Sequence, residues 1–260
     1  MRLKIDVELD YHFPAAADVL LALEVAQTPD QLLIEDLLTV DGSGPLRPIL
    51  GEHGIGQRTW LAAEGPLLVR YAARVDVDRP ATDLAGLAAA PLHELPPDVV
   101  PYLWPSRYCE ADKFESFVER RFGDLEAGAR LVAMAEWIEA EMDYVAGSSD
   151  SETTAADAFV ARQGVCRDYA HLLASFARAA GIPARLVSAY AWRLDPPDFH
   201  AVVEAWIGGG WRLIDPTGLA PVEGLARIAV GRDATDIAFM TIFGEAEMRS
   251  QSIRVTRLDE

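Results

Sequence analysis

The sequence predicts an α+β protein: an all-β, sandwich-like N-terminal module, then a domain whose helices lead into an antiparallel hairpin. Three observations predict it. The first third alternates apolar and polar side chains with the period-2 mark of half-buried strands. The middle carries apolar residues at helical spacing. Beyond it, two short apolar runs flank Gly208-Gly209-Gly210, a hairpin signal.

Along residues 1–80, Leu3, Ile5, Val7, Leu9, Tyr11 and Phe13 form one alternating strand. Leu20–Val25, Gln57–Ala62 and Leu67–Val77 read as further strands. Turn signals separate them at Thr28-Pro29-Asp30, Asp41-Gly42-Ser43-Gly44-Pro45 and Glu64-Gly65-Pro66. Gly51-Glu52-His53-Gly54-Ile55-Gly56 lacks the Lys-Ser/Thr ending of a phosphate loop and reads as a hairpin turn. Residues 81–105 carry Pro91, Pro96, Pro97, Pro101 and Pro105, which block helix interiors and central strands; they read as an ordered linker.

The second domain is expected over 106–245. Helices are predicted at Phe114–Phe122, at Ala129–Tyr144 (apolar at Leu131, Ala135, Ile138 and Met142), at Ala155–Arg162 and at Gly164–Ala180. Gly181 suits a left-handed cap on the last of these, and Pro183 stops it. Strands follow at Ala184–Trp192, His200–Ile207 and Trp211–Asp215. In the tail, 246–260, Ser252–Leu258 fits one more strand, placed on the N-terminal module.

Half of the residues are hydrophobic and 25% are charged, enough apolar side chain for a sizeable core. The formal charge of -18, from 41 acidic and 23 basic residues, repels phosphate backbones and anionic lipid, so neither nucleic acid nor a membrane surface is expected as a partner. No apolar run approaches the roughly 18 residues of a membrane span, and Met1–Phe13 lacks the pattern of a signal peptide. With two cysteines, Cys109 and Cys166, the chain fits a reducing compartment, and a cytoplasmic location is expected.

Cys166 stands in the first turn of a predicted helix, where unpaired N–H groups and the helix dipole favour an anion. Such a position favours thiolate, the nucleophilic form. The bland alternative is a small buried hydrophobe. The hairpin adds a second element. A two-residue loop at Gly208-Gly209 pairs Ile207 with Gly210 and Val202 with Asp215, so His200 and Asp215 become diagonal neighbours on one face. A plain three-residue loop would set them on opposite faces, although a glycine bulge restores the register. A carboxylate that accepts from one imidazole nitrogen fixes the tautomer and points the other nitrogen at sulfur. No close Cys pair or His pair offers a zinc pattern, so neither metal nor cofactor is expected.

Four blocks then carry a resemblance. Gly164-Val165-Cys166-Arg167-Asp168-Tyr169-Ala170-His171-Leu172, Gly181-Ile182-Pro183-Ala184-Arg185, Phe199-His200-Ala201-Val202-Val203-Glu204 and Trp211-Arg212-Leu213-Ile214-Asp215-Pro216-Thr217 follow the order and spacing of the transglutaminase-like superfamily. The all-β first third resembles the N-terminal region of many bacterial members. The resemblance implies a papain-like core, with a nucleophile helix packed on an antiparallel sheet. It also implies a triad of Cys166, His200 and Asp215, and acyl-thioester chemistry on a peptide, protein or amide. Water as acceptor makes a protease or amidase, an amine makes a transglutaminase, and some relatives keep the scaffold as non-catalytic modules. Hydrolysis is the expected outcome, since no amine-binding feature is visible. The developing oxyanion needs donors. The Cys166 N–H is the natural first one; Gln163, Tyr190 and Trp104 are candidates for the second. His171 is expected to pack within the helix bundle, and Asp168 to stabilise the first helical turn.

Overall fold

The computed structural model describes residues 1–258. Strands β1 (Arg2–Leu21), β2 (Gln31–Ser43), β3 (Arg47–Leu50) and β4 (Gln57–Val77) build most of a six-stranded antiparallel sheet. Its spine is the long β1–β4 ladder. The strand expected at Leu20–Val25 is in fact the last two residues of β1 followed by a buried crossover. Gln57–Ala62 and Leu67–Val77 are one strand. Glu64-Gly65-Pro66 does not turn the chain; Gly65, at φ +74°, sits where the register jumps between Phe13 and Ala17. A glycine in the left-handed region makes such a bulge without reversing the strand. The predicted turn at 51–56 does close a hairpin, between β3 and β4, with the Gly51 N–H on the Gly56 carbonyl at 3.0 Å.

Helices α1 (Glu115–Phe122), α2 (Ala127–Glu141), α3 (Ala155–Ala161) and α4 (Cys166–Ala179) come next. Between them lie β5 (Asp143–Tyr144) and β6 (Gln163–Gly164), which pair in parallel. Helix α2 thus ends three residues before the predicted Tyr144, because Met142 turns extended (φ -117°, ψ 139°) to let Asp143 and Tyr144 pair. Strands β7 (Ala184–Ala191), β8 (Phe199–Ile207), β9 (Gly210–Ile214) and β10 (Leu225–Gly231) form a second sheet in the order β10-β7-β8-β9. A one-turn helix, α5 (Ala234–Ile237), leads to β11 (Met240–Phe243) and β12 (Glu247–Arg257). Both of these return to β1, so Met240–Phe243, expected within the second domain, completes the first sheet instead.

Helix α4 is the centre of the helical layer. Its residues from Asp168 to Arg178 are all buried, against β7 and β8 on one side and the other helices on the other. Phe176 meets Phe114, Phe117, Phe122, Trp137 and Phe159 with ring centroids 5.2–6.3 Å apart. Gly181, at φ +73°, and the Ile182 N–H on the Ala177 carbonyl close the C-terminus in the left-handed manner that glycine permits.

The two sheets share a core. The buried face of β1 and β4 packs on Tyr190 of β7 and on Ala226, Ile228 and Ala229 of β10. Polar links reinforce the contact: Tyr190 Oη donates to the Leu23 carbonyl at 2.7 Å, and Gln31 bonds both backbone groups of Arg227. Arg227 joins Glu204 of β8 to Asp30, while Arg185 takes the other Glu204 oxygen. A charge as deeply buried as Glu204 requires such partners. No helix among the described residues is long and apolar enough to cross a membrane.

Candidate active site

Cys166 is positioned by a tight entrance to α4. Asp168, fully buried, accepts from the Val165 N–H at 2.8 Å and from Ser149 Oγ at 2.5 Å. This caps the helix one residue before Cys166 and points its first N–H groups outward. Gly164 is required by close approach: a Cβ there would stand 2.7 Å from Asp168 Cβ. Cys166 is partly exposed and unpaired, its Sγ 4.0 Å from the carbonyl oxygen of Phe199, the residue before His200.

The opposite wall is the β8–β9 hairpin. Gly208 and Gly209, at φ +61° and +73°, form the two-residue turn, and Ile207 pairs with Gly210. Continuing that register sets Val202 across from Asp215 and His200 diagonal to it. His200 Nε2 lies 2.8 Å from Asp215 Oδ2, with both side chains buried. A carboxylate only accepts, so Nε2 carries the hydrogen, and Nδ1 is the nitrogen left for the sulfur. The loop after β9 holds the carboxylate still. Thr217 donates to Oδ1 through its N–H at 3.0 Å and its hydroxyl at 2.7 Å, and the Ala220 N–H donates to Oδ2 at 3.1 Å.

Electrostatics follow from this packing. Burial alone would push the His200 imidazole toward neutrality. The hydrogen bonds and charges of Asp215 and Cys166 outweigh it and raise the pKa to about 10. Burial pushes Asp215 up, but His200 and Thr217 bring its carboxyl below the usual range. The arrangement favours an imidazolium held against the Asp215 carboxylate.

The remaining sequence candidates divide. Gln163 lies beside the site on β6, with its backbone opposite Asp143 and its side chain exposed. Tyr190 is corrected: it is wholly buried between the sheets, stacked on Tyr71, with its hydroxyl committed to Leu23. Trp104 is corrected as well. Its carbonyl accepts from Arg178, twelve residues after Cys166 and about 18 Å along the α4 axis, and its side chain points to solvent. His171 packs, stacked on Tyr108 at 5.1 Å and accepting from the Ala234 N–H, and burial lowers its pKa to about 3. Burial likewise raises Cys109 to about 11 and keeps it a thiol. No cluster of three metal-ligating side chains occurs among the described residues.

Sequence reasoning missed Tyr144. Its backbone pairs with Gly164, and its ring lies 5.8 Å from that of Tyr169, one turn past Cys166. The phenol pKa is pushed up by burial and by the adjoining Cys166. The alternation Met142-Asp143-Tyr144-Val145 before Gly147 is a short-strand signal, but Met142 also continues the helical spacing of Leu131, Ala135 and Ile138, which concealed it.

A sequence model of the transglutaminase-like superfamily matches residues 116–216, the span from α1 to the end of the hairpin that holds Cys166, His200 and Asp215. A solved structure from Cytophaga hutchinsonii, described as a candidate cysteine protease, is 34% identical. It superposes with a TM-score of 0.95 over 100% of this chain and 91% of its own. The chain belongs to the transglutaminase-like superfamily. Another relative, an uncharacterised protein of Mycobacterium leprae, is 33% identical over 146 residues, 52% of this chain and 52% of its own. The match thus spans about half the length of that relative. The core of this chain is a mixed α+β layer with antiparallel sheets, joined to a strand-rich N-terminal region.

Proposed function

We propose that this member of the superfamily is a cysteine hydrolase that forms an acyl-thioester on Cys166 from a peptide, protein or amide substrate. One observation carries the reading: a buried His200–Asp215 pair at 2.8 Å leaves one imidazole nitrogen for a sulfur at the N-terminus of α4. The 34% identical Cytophaga hutchinsonii structure, described as a candidate cysteine protease, supports it.

The steps follow from that geometry. The Cys166 sulfur attacks the carbonyl carbon, a C–S bond forms, and the carbonyl π pair moves to oxygen. The Cys166 N–H, at the positive end of α4, donates to that oxyanion. Collapse breaks the C–N bond, and the imidazolium of His200 gives its proton to the departing amine. Neutral His200 then takes a proton from water as it attacks the thioester. The carboxylic acid leaves and the sulfur is restored. Asp215 holds the tautomer throughout and stabilises the imidazolium. Water is favoured over an amine as acceptor because it is present at every turnover and needs no site of its own. The two free cysteines support a reducing compartment, and we place the enzyme in the cytoplasm.

The test uses p-nitrophenyl acetate and a library of glutaminyl peptides. Mass spectrometry is expected to find an acyl adduct on Cys166 and on no other residue. Ammonia release from the peptides is expected without added amine. An absolute need for a primary amine, with isopeptide product, makes the enzyme a transferase instead. Absence of any adduct removes the catalytic reading and leaves a binding module.

A further inference from the structure

Cys166 supplies one donor to the oxyanion, and the proposed hydrolysis needs a second. Two of the three sequence candidates lie elsewhere, Tyr190 in the inter-sheet core and Trp104 at the far end of α4. Tyr144 is placed by two constraints around Cys166, a strand pairing and a ring contact. The parallel bridge fixes its backbone beside Gly164, two residues before the cysteine. The Val145 N–H locks that bridge on the Gly164 carbonyl at 3.0 Å, and the Asp143 N–H locks it on the Arg162 carbonyl at 2.8 Å. Tyr169, three residues past the cysteine and itself anchored through its hydroxyl to the Met142 carbonyl, backs the ring. The ring therefore spans the first turn of α4. The hydroxyl adjoins both the backbone N–H and the side chain of Cys166, and the residue stays 45% exposed.

A reacting carbonyl must come within about 3 Å of the sulfur while its oxygen reaches the donors. We propose that Tyr144 is a catalytic residue whose hydroxyl donates the second hydrogen bond to the oxyanion formed at Cys166. This rests on the acyl-thioester reading above. When the carbonyl π pair moves to oxygen, that oxygen accepts from the Cys166 N–H and from Tyr144 Oη–H. No proton is transferred, since a phenol whose pKa is pushed upward remains protonated across the working range. On collapse the pair returns to the carbonyl and both hydrogen bonds relax. Tyr144 is partly exposed, which keeps it accessible to substrate, and its ring is held by the contact with Tyr169.

The experiment compares Tyr144→Phe with the wild-type chain in two reactions at Cys166. Acylation by p-nitrophenyl acetate, followed as p-nitrophenol release in a single turnover, develops an oxyanion. Alkylation by iodoacetamide is a displacement at saturated carbon and develops none. Loss of a single oxyanion donor costs about 10²–10³-fold. Tyr144→Phe is therefore expected to slow acylation by about 100-fold, while alkylation and its pH profile stay within about two-fold. The variant keeps the ring contact with Tyr169, and an unchanged thermal midpoint verifies the fold. Equal acylation in both proteins overturns the assignment of Tyr144, and so does a parallel fall in alkylation, which would make the hydroxyl a positioning group for the thiolate. A wild-type Cys166 that is alkylated yet never acylated overturns the hydrolase reading itself.

Discussion

The two walls of the site are built on opposite terms. The hairpin wall is dry and over-determined. His200 and Asp215 lie buried in a four-stranded sheet, and the carboxylate is held by His200, Thr217 and Ala220. The cysteine wall is short and wet, made of two two-residue strands and the first turn of a helix, with Gln163 exposed and Tyr144 nearly half exposed. Proton transfer needs fixed geometry and low dielectric, which burial supplies. The proposed acyl transfer needs a path for substrate, which a fully buried wall denies. The difference teaches that the fold puts its regular structure behind the His200–Asp215 pair and leaves Cys166 on the accessible side.

The comparison breaks first at its two principal groups. Cys166→Ala is expected to lower single-turnover acylation by at least about 10⁴-fold, and His200→Ala by a similar factor, because residues that act as a unit each remove the whole effect. The double variant then falls no further than the singles. Stepwise, additive losses would mean that the walls work separately.

Asp215→Asn sharpens the same point, with an expected loss of about 10²–10⁴-fold. The sign of the pH effect follows from the native His200 value near 10, against roughly 6.5 in an unfolded chain. A raised pKa stabilises the folded state fully below the unfolded value, and that contribution disappears as pH rises through about 10. The wild-type denaturation midpoint should therefore fall between those two values, and the alkaline limb of acylation should lie well above neutrality. Asp215→Asn is expected to flatten the first and bring the second toward the ordinary imidazole range. Denaturant titrations at several pH values, beside the acylation profile, check both. The depressed Asp215 pKa acts at the other end: its stabilisation is present above the unfolded carboxylate value and is lost as pH falls through the folded one.

On the cysteine wall, Gly164→Ala tests whether the helix entrance is as tight as the hairpin. The new Cβ meets Asp168 Cβ at 2.7 Å, so either the cap or β6 must shift. Overpacking of this kind costs about 1–3 kcal/mol, which lowers the midpoint of a chain this size by about 2–4 °C per kcal/mol. A thermal scan with no change would mean that this wall yields freely.

The same contrast decides what was legible in the sequence. The hairpin could be read because a two-residue glycine turn determines register, and register determines which side chains share a face. Cys166 could be read because its helix is long and sharply ended by Gly181-Ile182-Pro183. Strand β10 left no trace: Leu225–Gly231 is buried on both faces, so it lacks alternation, and Arg227 within it looks like a surface residue until Asp30 and Glu204 are seen around it. Strand β2 was hidden for the opposite reason, since Leu32, Ile34 and Leu37 are exposed on an edge and blur the pattern. Tyr144 was hidden because a two-residue parallel pair has no sequence signature of its own and is made by a partner twenty residues away.

The smallest effect separates backbone from side chain on the cysteine wall. Gln163 contributes its main chain to the β5–β6 pair opposite Asp143, while its amide reaches into solvent. Removal of an exposed side chain with no fixed partner leaves stability within about 0.5 kcal/mol. If the second donor is on Tyr144, the Gln163 amide has no charge to stabilise, and Gln163→Ala should leave single-turnover acylation within about two-fold of wild type, against the roughly 100-fold expected on loss of a donor. An exposed amide would have to be ordered in each turnover to serve, whereas Tyr144 is already held by its backbone pairing with Gly164 and its ring contact with Tyr169. Measured beside Tyr144→Phe, the pair of variants is decisive: a large loss in Gln163→Ala with none in Tyr144→Phe exchanges the two roles and makes the looser side chain the one that works.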